Sequence, residues 1–186
     1  MVQERVFFRD FCDTKKNTSE PVRIIDSTIV RAHQHAAGAK GGQSKQGFGR
    51  SVGGFSSKVH MSTDADGNPD QFFVTEGQEH DIKKAIDLTK DAPKNSAVAA
   101  DKGYDSSDFR LFLLYNDVEP VIPSRSNRIY KPPYDKEKYK IRYRIECCFN
   151  RLKQNRGFAT RYDKLAVTYL SATALICAMM CIRSCF

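Results

Sequence analysis

Residues 23–31, Arg23-Ile-Ile-Asp-Ser-Thr-Ile-Val-Arg31, are dominated by β-branched side chains and read as a strand. Asp26 stands in the middle of this apolar run, where a carboxylate loses solvation and needs a compensating role. Further along, Phe55–Thr63 and Gln71–Thr75 flank Asp64-Ala-Asp-Gly-Asn-Pro69, whose Asp-Gly and Asn-Pro steps are turn signals, so a hairpin is predicted. Within 81–91, Ile82, Ala85, Ile86 and Leu88 recur at helical spacing. Ala97-Val-Ala-Ala100 reads as a short buried strand ending at a second acid, Asp101, and Gly103 can supply a bend beyond it. A helix over 106–115 and a strand over 118–122 follow. This order of strand, hairpin, helix, strand, helix, strand predicts an α/β fold with one mixed sheet flanked by helices.

The chain of 186 residues fits one domain, and 40% hydrophobic with 11% aromatic content excludes a disordered chain. The net charge of +8 is local: Pro123–Lys164 holds 13 Lys and Arg against four Asp and Glu, a sum of +9, and the remainder sums to −1. Such a surface is expected to meet a polyanion. Cysteines stand at 12, 147, 148, 177, 181 and 185 with no secretory leader pattern, which predicts reduced thiols in a cytosolic protein. Residues 1–22 read as the stub of a preceding region and 23–164 as the main unit. Residues 36–54 carry seven of the 11 glycines with Lys40, Lys45 and Arg50, and read as a flexible basic loop without a packed element. The last segment, 165–186, reads as an apolar helix. Its run Ala166–Ile182 is short for a membrane span and is interrupted by Thr168, Tyr169, Ser171 and Thr173, so a buried helix packed on the domain is expected and no membrane.

Residues 139–156 contain no Pro or Gly and read as one long helix. On it Tyr139, Arg142, Glu146 and Lys153, at ~100° per residue, fall within a stripe about 60° wide, opposite Ile141, Ile145, Cys148 and Leu152. A solvated face laced with ion pairs is the ordinary reading of such a stripe. Two strand acids and one helix acid are also a set of oxygen ligands suited to Mg²⁺, and a metal pair about 4 Å apart can polarise a phosphodiester. Taken singly, each acid is equally well explained as a cap or a salt-bridge partner. His33 and His35 alternate on an extended segment near Asp26, and they with His60 and His80 read as ordinary polar histidines. Cys177, Cys181 and Cys185 share a helical face and read as buried small hydrophobes.

Several segments together carry a more specific signal: Ile25-Asp-Ser-Thr-Ile-Val-Arg-Ala-His-Gln-His35, Gly53-Gly-Phe-Ser-Ser-Lys-Val-His60, Ala100-Asp-Lys-Gly-Tyr-Asp105, Pro120-Val-Ile-Pro-Ser-Arg-Ser-Asn-Arg128, Phe149-Asn-Arg-Leu-Lys153 and Ala159-Thr-Arg-Tyr-Asp-Lys164. With the Tyr-x2-Arg-x3-Glu-x6-Lys signature at Tyr139, Arg142, Glu146 and Lys153, the chain resembles the catalytic part of bacterial insertion-sequence transposases of the Asp-Asp-Glu class, in the insertion-sequence-five-like branch. The resemblance implies a ribonuclease-H-like fold with a C-terminal helical extension. It implies that Asp26, Asp101 and Glu146 are catalytic and hold two Mg²⁺ ions, or Mn²⁺ in their place. The implied reaction is phosphodiester hydrolysis at transposon ends, then strand transfer by the freed 3′-hydroxyl. Tyr139, Arg142, Lys153, Arg50, Lys102, Arg125 and Arg128 are the expected contacts to double-stranded DNA, on which the protein acts as a homodimer in the cytoplasm, at the nucleoid. The alternative is a truncated, transposase-derived DNA-binding remnant without productive transposition. The chain departs from the family pattern at Cys147 and Cys148, where aromatic residues are usual, and at Val52, where a second Arg is common.

Overall fold

Strand β2, Val22–Ala32, is the axis of the molecule. The computed structural model describes residues 6–7, 21–38 and 40–185, with 6–7 and 185 by backbone alone; the expected N-terminal stub and Cys12 therefore lie almost wholly outside the described residues. On one side β2 pairs antiparallel with β4, Gly54–Thr63, which turns back through residues 64–68 into β5, Pro69–Glu76. This is the predicted hairpin. On the other side β2 runs parallel to β6, Ser96–Ala99, and β6 runs parallel to β7, Val118–Val121. Strand β1, Val6–Phe7, extends the sheet beyond β5, giving the order β1-β5-β4-β2-β6-β7.

Side chains alternate across the strands, so the sheet has two cores. Ile25, Phe73 and Val98 face helices α1, Ile82–Thr89, and α2, Ser107–Tyr115, through Leu88, Phe109 and Leu113. Ile24, Val59, Met61, Phe72 and Ala99 face α4, Tyr143–Lys153, and α6, Ala166–Cys185, through Ile145, Cys148, Leu152 and Cys177. Asp26 has the parity of Ile24 and so belongs to the α4 side.

Three expectations change. Residues 36–54 are not a featureless loop: β3, Gly49–Ser51, pairs with β4, and Phe48 is buried, stacked on Phe55 with ring centroids 4.8 Å apart. The Arg161 guanidinium covers Phe48 at 3.7 Å from the ring centroid. One aromatic anchor under one cation offsets the entropy of ordering a glycine-rich segment. The single helix over 139–156 is broken. A short α3, Lys136–Lys140, is capped by the Asp135 carboxylate, which accepts from the amides of Glu137 and Lys138; the chain turns at Ile141 and Arg142 before α4 begins. Helix α6 is not buried all round. Tyr169, Leu170, Cys177 and Cys181 pack inward, whereas Leu175, Met179 and Ile182 are exposed. By length and composition alone α6 is apolar enough to cross a membrane, but its inner face belongs to the core.

The far ends of β2 and α4 meet again where α5, Arg156–Ala159, leads into β8, Thr160–Arg161, which pairs with Arg31 and Ala32. Arg161 there is fully buried, donating to the Ser57 hydroxyl at 2.8 Å and to the Asp163 carbonyl at 3.2 Å, with Tyr169 on a second side. Burial lowers its pKa to about 10. Along α4, Arg144 in the first turn pairs with Asp66 at 2.8 Å and Arg151 in the last turn donates to the Gly67 carbonyl at 2.8 Å, tying the helix to the β4–β5 turn. Gly67 has φ +80°, and a Cβ there would stand 2.9 Å from the Arg144 carbonyl oxygen, so both the turn and the close approach require glycine.

Candidate active site

The parallel pairing of β2 with β6 matches Ile24 to Ala99. Asp26 and Asp101 each lie two residues beyond that pair, Asp26 still on β2 and Asp101 just past the end of β6, with the parity of Ile24 and Ala99. Each carboxylate is held locally. Asp26 Oδ1 accepts from the Ser27 amide at 2.8 Å, and Asp101 Oδ1 accepts from the Gly103 amide at 2.8 Å, capping the 3-10 turn Lys102–Tyr104. Gly103 is needed here because a Cβ would lie 2.8 Å from that same oxygen.

Glu146 enters from α4 through Arg142. One guanidinium nitrogen lies 2.6 Å from Glu146 Oε1 and the other 3.2 Å from Asp26 Oδ2. Arg142 and Glu146 are an i,i+4 pair, and Arg142 reaches across to the strand while Ile145 on the same helix enters the core. Burial raises the Asp26 pKa to about 6, opposed by Arg142 and the Ser27 amide and reinforced by Asp101 and Asp81. Burial disfavours the charged Arg142, but Asp26, Tyr139, Glu146 and Asp101 outweigh it and raise its pKa. Tyr139, from α3, is pushed upward by burial, with Arg142 opposing and Asp101 and Asp26 adding to the shift. Asp26, Asp101, Tyr139, Arg142 and Glu146 therefore share one electrostatic neighbourhood.

Among the described residues, no three His, Cys, Asp or Glu side chains stand in a metal-holding cluster. The cation between Asp26 and Glu146 is the Arg142 guanidinium. It acts as a stand-in ion and shows that these carboxylates accept positive charge; an all-oxygen donor set of this kind fits a hard divalent cation.

The remaining predicted residues divide. Lys153 lies at the end of α4, about 10 Å beyond Glu146 along the helix, exposed and in no ion pair among the described residues. Arg50 is exposed on β3, and Lys102 is exposed beside Asp101. Arg125 and Arg128 are engaged with the protein. The Arg125 guanidinium donates to the carbonyls of Lys102 at 3.1 Å and Gly103 at 2.6 Å, and Arg128 pairs with Asp105 at 2.8 Å. They brace the loop that carries Asp101. His33 and His35 lie beyond the end of β2, more than ~20 Å along the strand from Asp26. There His33 stacks on Tyr162 at 4.9 Å, and its Nδ1 accepts from the His35 amide at 3.3 Å.

Two features escaped the sequence reading. Asp105 is buried and accepts from the Arg110 and Arg128 guanidiniums and the Arg125 amide. Burial alone would raise its pKa, but these three donors hold it below the ordinary value. The apolar positions around it, Tyr104 and Phe109, were the available signal. On the other face of the sheet, Asp81 accepts from the Ser27 hydroxyl at 2.5 Å and pairs with Lys58 at 3.1 Å, while His60 bonds Thr75 at 2.8 Å. Cys148, which departs from the family pattern, is buried against Met61, and burial pushes its thiol up to about 12; Cys147 is exposed.

Residues 17–181 match the family described as the transposase DDE domain. A putative transposase for insertion sequence element IS6501 from Brucella ovis is 33% identical over 127 residues, covering 68% of this chain and 98% of that protein. The transposase for insertion sequence element IS1106 from Neisseria meningitidis serogroup B is 30% identical over 107 residues, 55% of this chain and 37% of its own length. Among solved structures, a piggyBac transposase in a synaptic complex with hairpin DNA superposes with a TM-score of 0.50 at 12% identity, covering 88% of this chain and 48% of that one. With the mixed sheet and its flanking helices, that likeness fits a ribonuclease-H-like fold. By the span of the family match and the identity to its Brucella relative, the chain belongs to the transposase DDE domain family.

Proposed function

We propose that this chain is the catalytic domain of an insertion-sequence transposase of the insertion-sequence-five-like branch, cutting DNA at transposon ends and joining the freed 3′-hydroxyl to target DNA. Residues 23–164 form the catalytic unit and 165–186 its helical extension. The observation that carries the reading is that Asp26 and Asp101 each stand two residues beyond the Ile24–Ala99 pair of neighbouring parallel strands, with Glu146 tethered to Asp26 through Arg142.

Asp26, Asp101 and Glu146 would hold Mg²⁺ or Mn²⁺, two ions in all. Bound there, the metal supplies Lewis acidity for the scissile phosphate and lowers the pKa of the attacking water or 3′-hydroxyl. The chain's own groups position the reactants. The Ser27 and Gly103 amides fix the two strand carboxylates. Arg142 is within reach of both the acids and an incoming phosphate, so it exchanges one anion for another when DNA arrives. Tyr139 packs beside the acids and lies against the terminal nucleotides, and Lys153 meets the backbone further along α4. Arg50 and Lys102 add exposed positive charge on the approach. Arg125 and Arg128 serve DNA indirectly, by holding the Asp101 loop. The protein acts at the nucleoid as a homodimer, one protomer for each transposon end.

Nicking of DNA that carries the element's ends, compared with Asp101→Ala and Lys153→Ala, tests the proposal. Asp101→Ala is expected to abolish Mg²⁺-dependent nicking while keeping DNA affinity. Lys153→Ala is expected to weaken binding and flatten the logarithmic salt slope by about one unit. Nicking by wild type in excess chelator, or by Asp101→Ala at the wild-type rate, overturns the metal-dependent reading. Binding without any nicking would favour the DNA-binding remnant.

A further inference from the structure

Ser27 follows Asp26 on β2 and so points to the opposite face of the sheet, toward α1. Strand β2 pairs with β6 through Val22–Ile24 and with β8 through Arg31 and Ala32, and neither register includes residues 25–30. Along this stretch β4 is the one paired strand among the described residues. The Ser27 amide is bonded instead to the Asp26 carboxylate, at 2.8 Å. A carboxylate held by an amide of its own strand is placed only as well as that strand is.

On the α1 face the same residue has a second tether. The Ser27 hydroxyl donates to Asp81 Oδ1 at 2.5 Å, and Lys58, from β4, donates to that oxygen at 3.1 Å and to the Glu79 carbonyl at 2.6 Å. His60, the register partner of Ser27 on β4, holds its otherwise unpartnered Nδ1 3.9 Å from the same oxygen. One carboxylate oxygen thus draws together β2, β4 and the segment that enters α1. Asp81 stands directly before α1, where a carboxylate ordinarily caps the first free amides, as Asp135 does for α3. Asp81 makes no such bond and turns onto the strand instead. A residue that leaves its local role for a distant contact marks a functional constraint rather than a helical one. Asp81 is also close enough to Asp26 for its charge to raise the Asp26 pKa.

We infer that Asp81 is a positioning residue for the metal-dependent reaction: through the Ser27 hydroxyl it fixes the segment of β2 that carries Asp26, from the face of the sheet opposite the acids. Ser27 is the link, with its hydroxyl on Asp81 and its amide on Asp26. Asp81 acts through that link and is not itself a ligand. The inference rests on the reading of Asp26 as a holder of a divalent ion. Outer-shell partners of ligating groups are worth about 10–100-fold in metal affinity. The Ser27–Asp81 bond lies one step behind the carboxylate, so a loss of about tenfold is expected.

Calorimetric titration of the full chain with Mn²⁺, without DNA, tests the link. Ser27→Ala and Asp81→Ala should each bind Mn²⁺ about tenfold more weakly than wild type. The double variant should bind no more weakly than Asp81→Ala alone, because either substitution breaks the same connection. Ser27→Thr keeps the hydroxyl and should keep the wild-type affinity. Leu88→Ala removes buried packing from α1 but leaves the Ser27–Asp81 bond in place, so it should lower the thermal midpoint and leave Mn²⁺ affinity unchanged. In the metal-free protein, the amide of residue 27 should exchange its hydrogen faster in Ser27→Ala and Asp81→Ala than in wild type. Wild-type Mn²⁺ affinity in Asp81→Ala, an equal loss in Leu88→Ala, or losses that multiply to about a hundredfold in the double variant would overturn the inference and leave the metal reading standing. If Asp81→Ala does not fold, Ser27→Ala and Ser27→Thr decide, and equal affinities in those two overturn it. A wild type that binds no Mn²⁺, or that binds it as well after Asp101→Ala, would refute the reading of the acids and this inference with it.

Discussion

Asp105 is the most consequential residue outside the acid cluster, and replacing it by Asn tests whether the Asp101 loop is held electrostatically. Its carboxylate is 1% exposed and meets Arg110 Nε at 2.9 Å, Arg128 Nη1 at 2.8 Å and the Arg125 amide at 2.9 Å. Asn has nearly the same shape but carries no charge, and its amide must turn two N–H donors toward a site already filled with donors. If the Asn oxygen keeps the place of Oδ1 between Arg110 and Arg128, its NH2 meets the Arg125 amide, and the buried Arg110 loses the charge that compensates its own, keeping the Ile122 carbonyl at 2.6 Å. Removing one partner of a buried ion pair costs about 3–5 kcal/mol. Arg128 is 22% exposed and recovers part of its solvation, so about 3 kcal/mol is expected. With a urea m-value of about 2 kcal/mol/M, the unfolding midpoint should fall by about 1.5 M. Asp105→Asn should also expose the Gly103 and Arg125 amides to faster hydrogen exchange, because Arg125 grips the Lys102 and Gly103 carbonyls from the same loop. The double variant with Arg110→Met should lose less than the sum of the two single losses, by about 1–3 kcal/mol. The sign with pH follows from the depressed pKa: the charged Asp105 stabilises the fold above the ordinary carboxylate range, and that contribution is lost as pH falls through its lower native value. A midpoint shift under about 0.3 M, or strictly additive losses in the double variant, would refute the reasoning.

Two further outcomes are expected. Burial lowers the His60 pKa from 6.5 to about 4, against an upward pull from Asp81, so the unfolded chain binds more protons across that window. His60 therefore contributes no penalty above pH 6.5, and stability falls by about 3 kcal/mol as pH drops from 6.5 to 4. Denaturant midpoints in that window should fall less steeply for His60→Gln, and parallel curves for the two proteins would sink the idea. Arg142→Gln removes the cation lying between Asp26 and Glu146. Calorimetric titration with Mn²⁺ in the absence of DNA should show binding about tenfold tighter than in wild type, while affinity for DNA falls; weaker Mn²⁺ binding would mean that Arg142 supports the carboxylates rather than competing with an ion.

The main strands and their succession along the chain were legible from local pattern, because β-branched runs such as 23–31 and turn steps such as Asp66-Gly67 act within a few residues, whereas the order of the strands in the sheet was not. The family resemblance was likewise carried by short motifs, and through it the acids Asp26, Asp101 and Glu146 could be named. Periodicity could not show that the helix breaks at Ile141 and Arg142. Nothing in the local sequence forbids continuation there; at the break Arg142 meets acids 116 and four residues away in the chain. Arg125 and Arg128 look like free basic residues in sequence, because the buried carboxylate that engages them, Asp105, is about 20 positions earlier. Phe48 looked like part of a flexible loop because its partner Arg161 comes from another element. Hydrophobic content marked α6 as apolar, but which of its faces meets the sheet depends on where β5 and α5 stand. Propensity and pattern are short-range properties and determine the elements; the pairing of a buried charge with its counter-charge is a long-range property, decided only when the chain has closed around both.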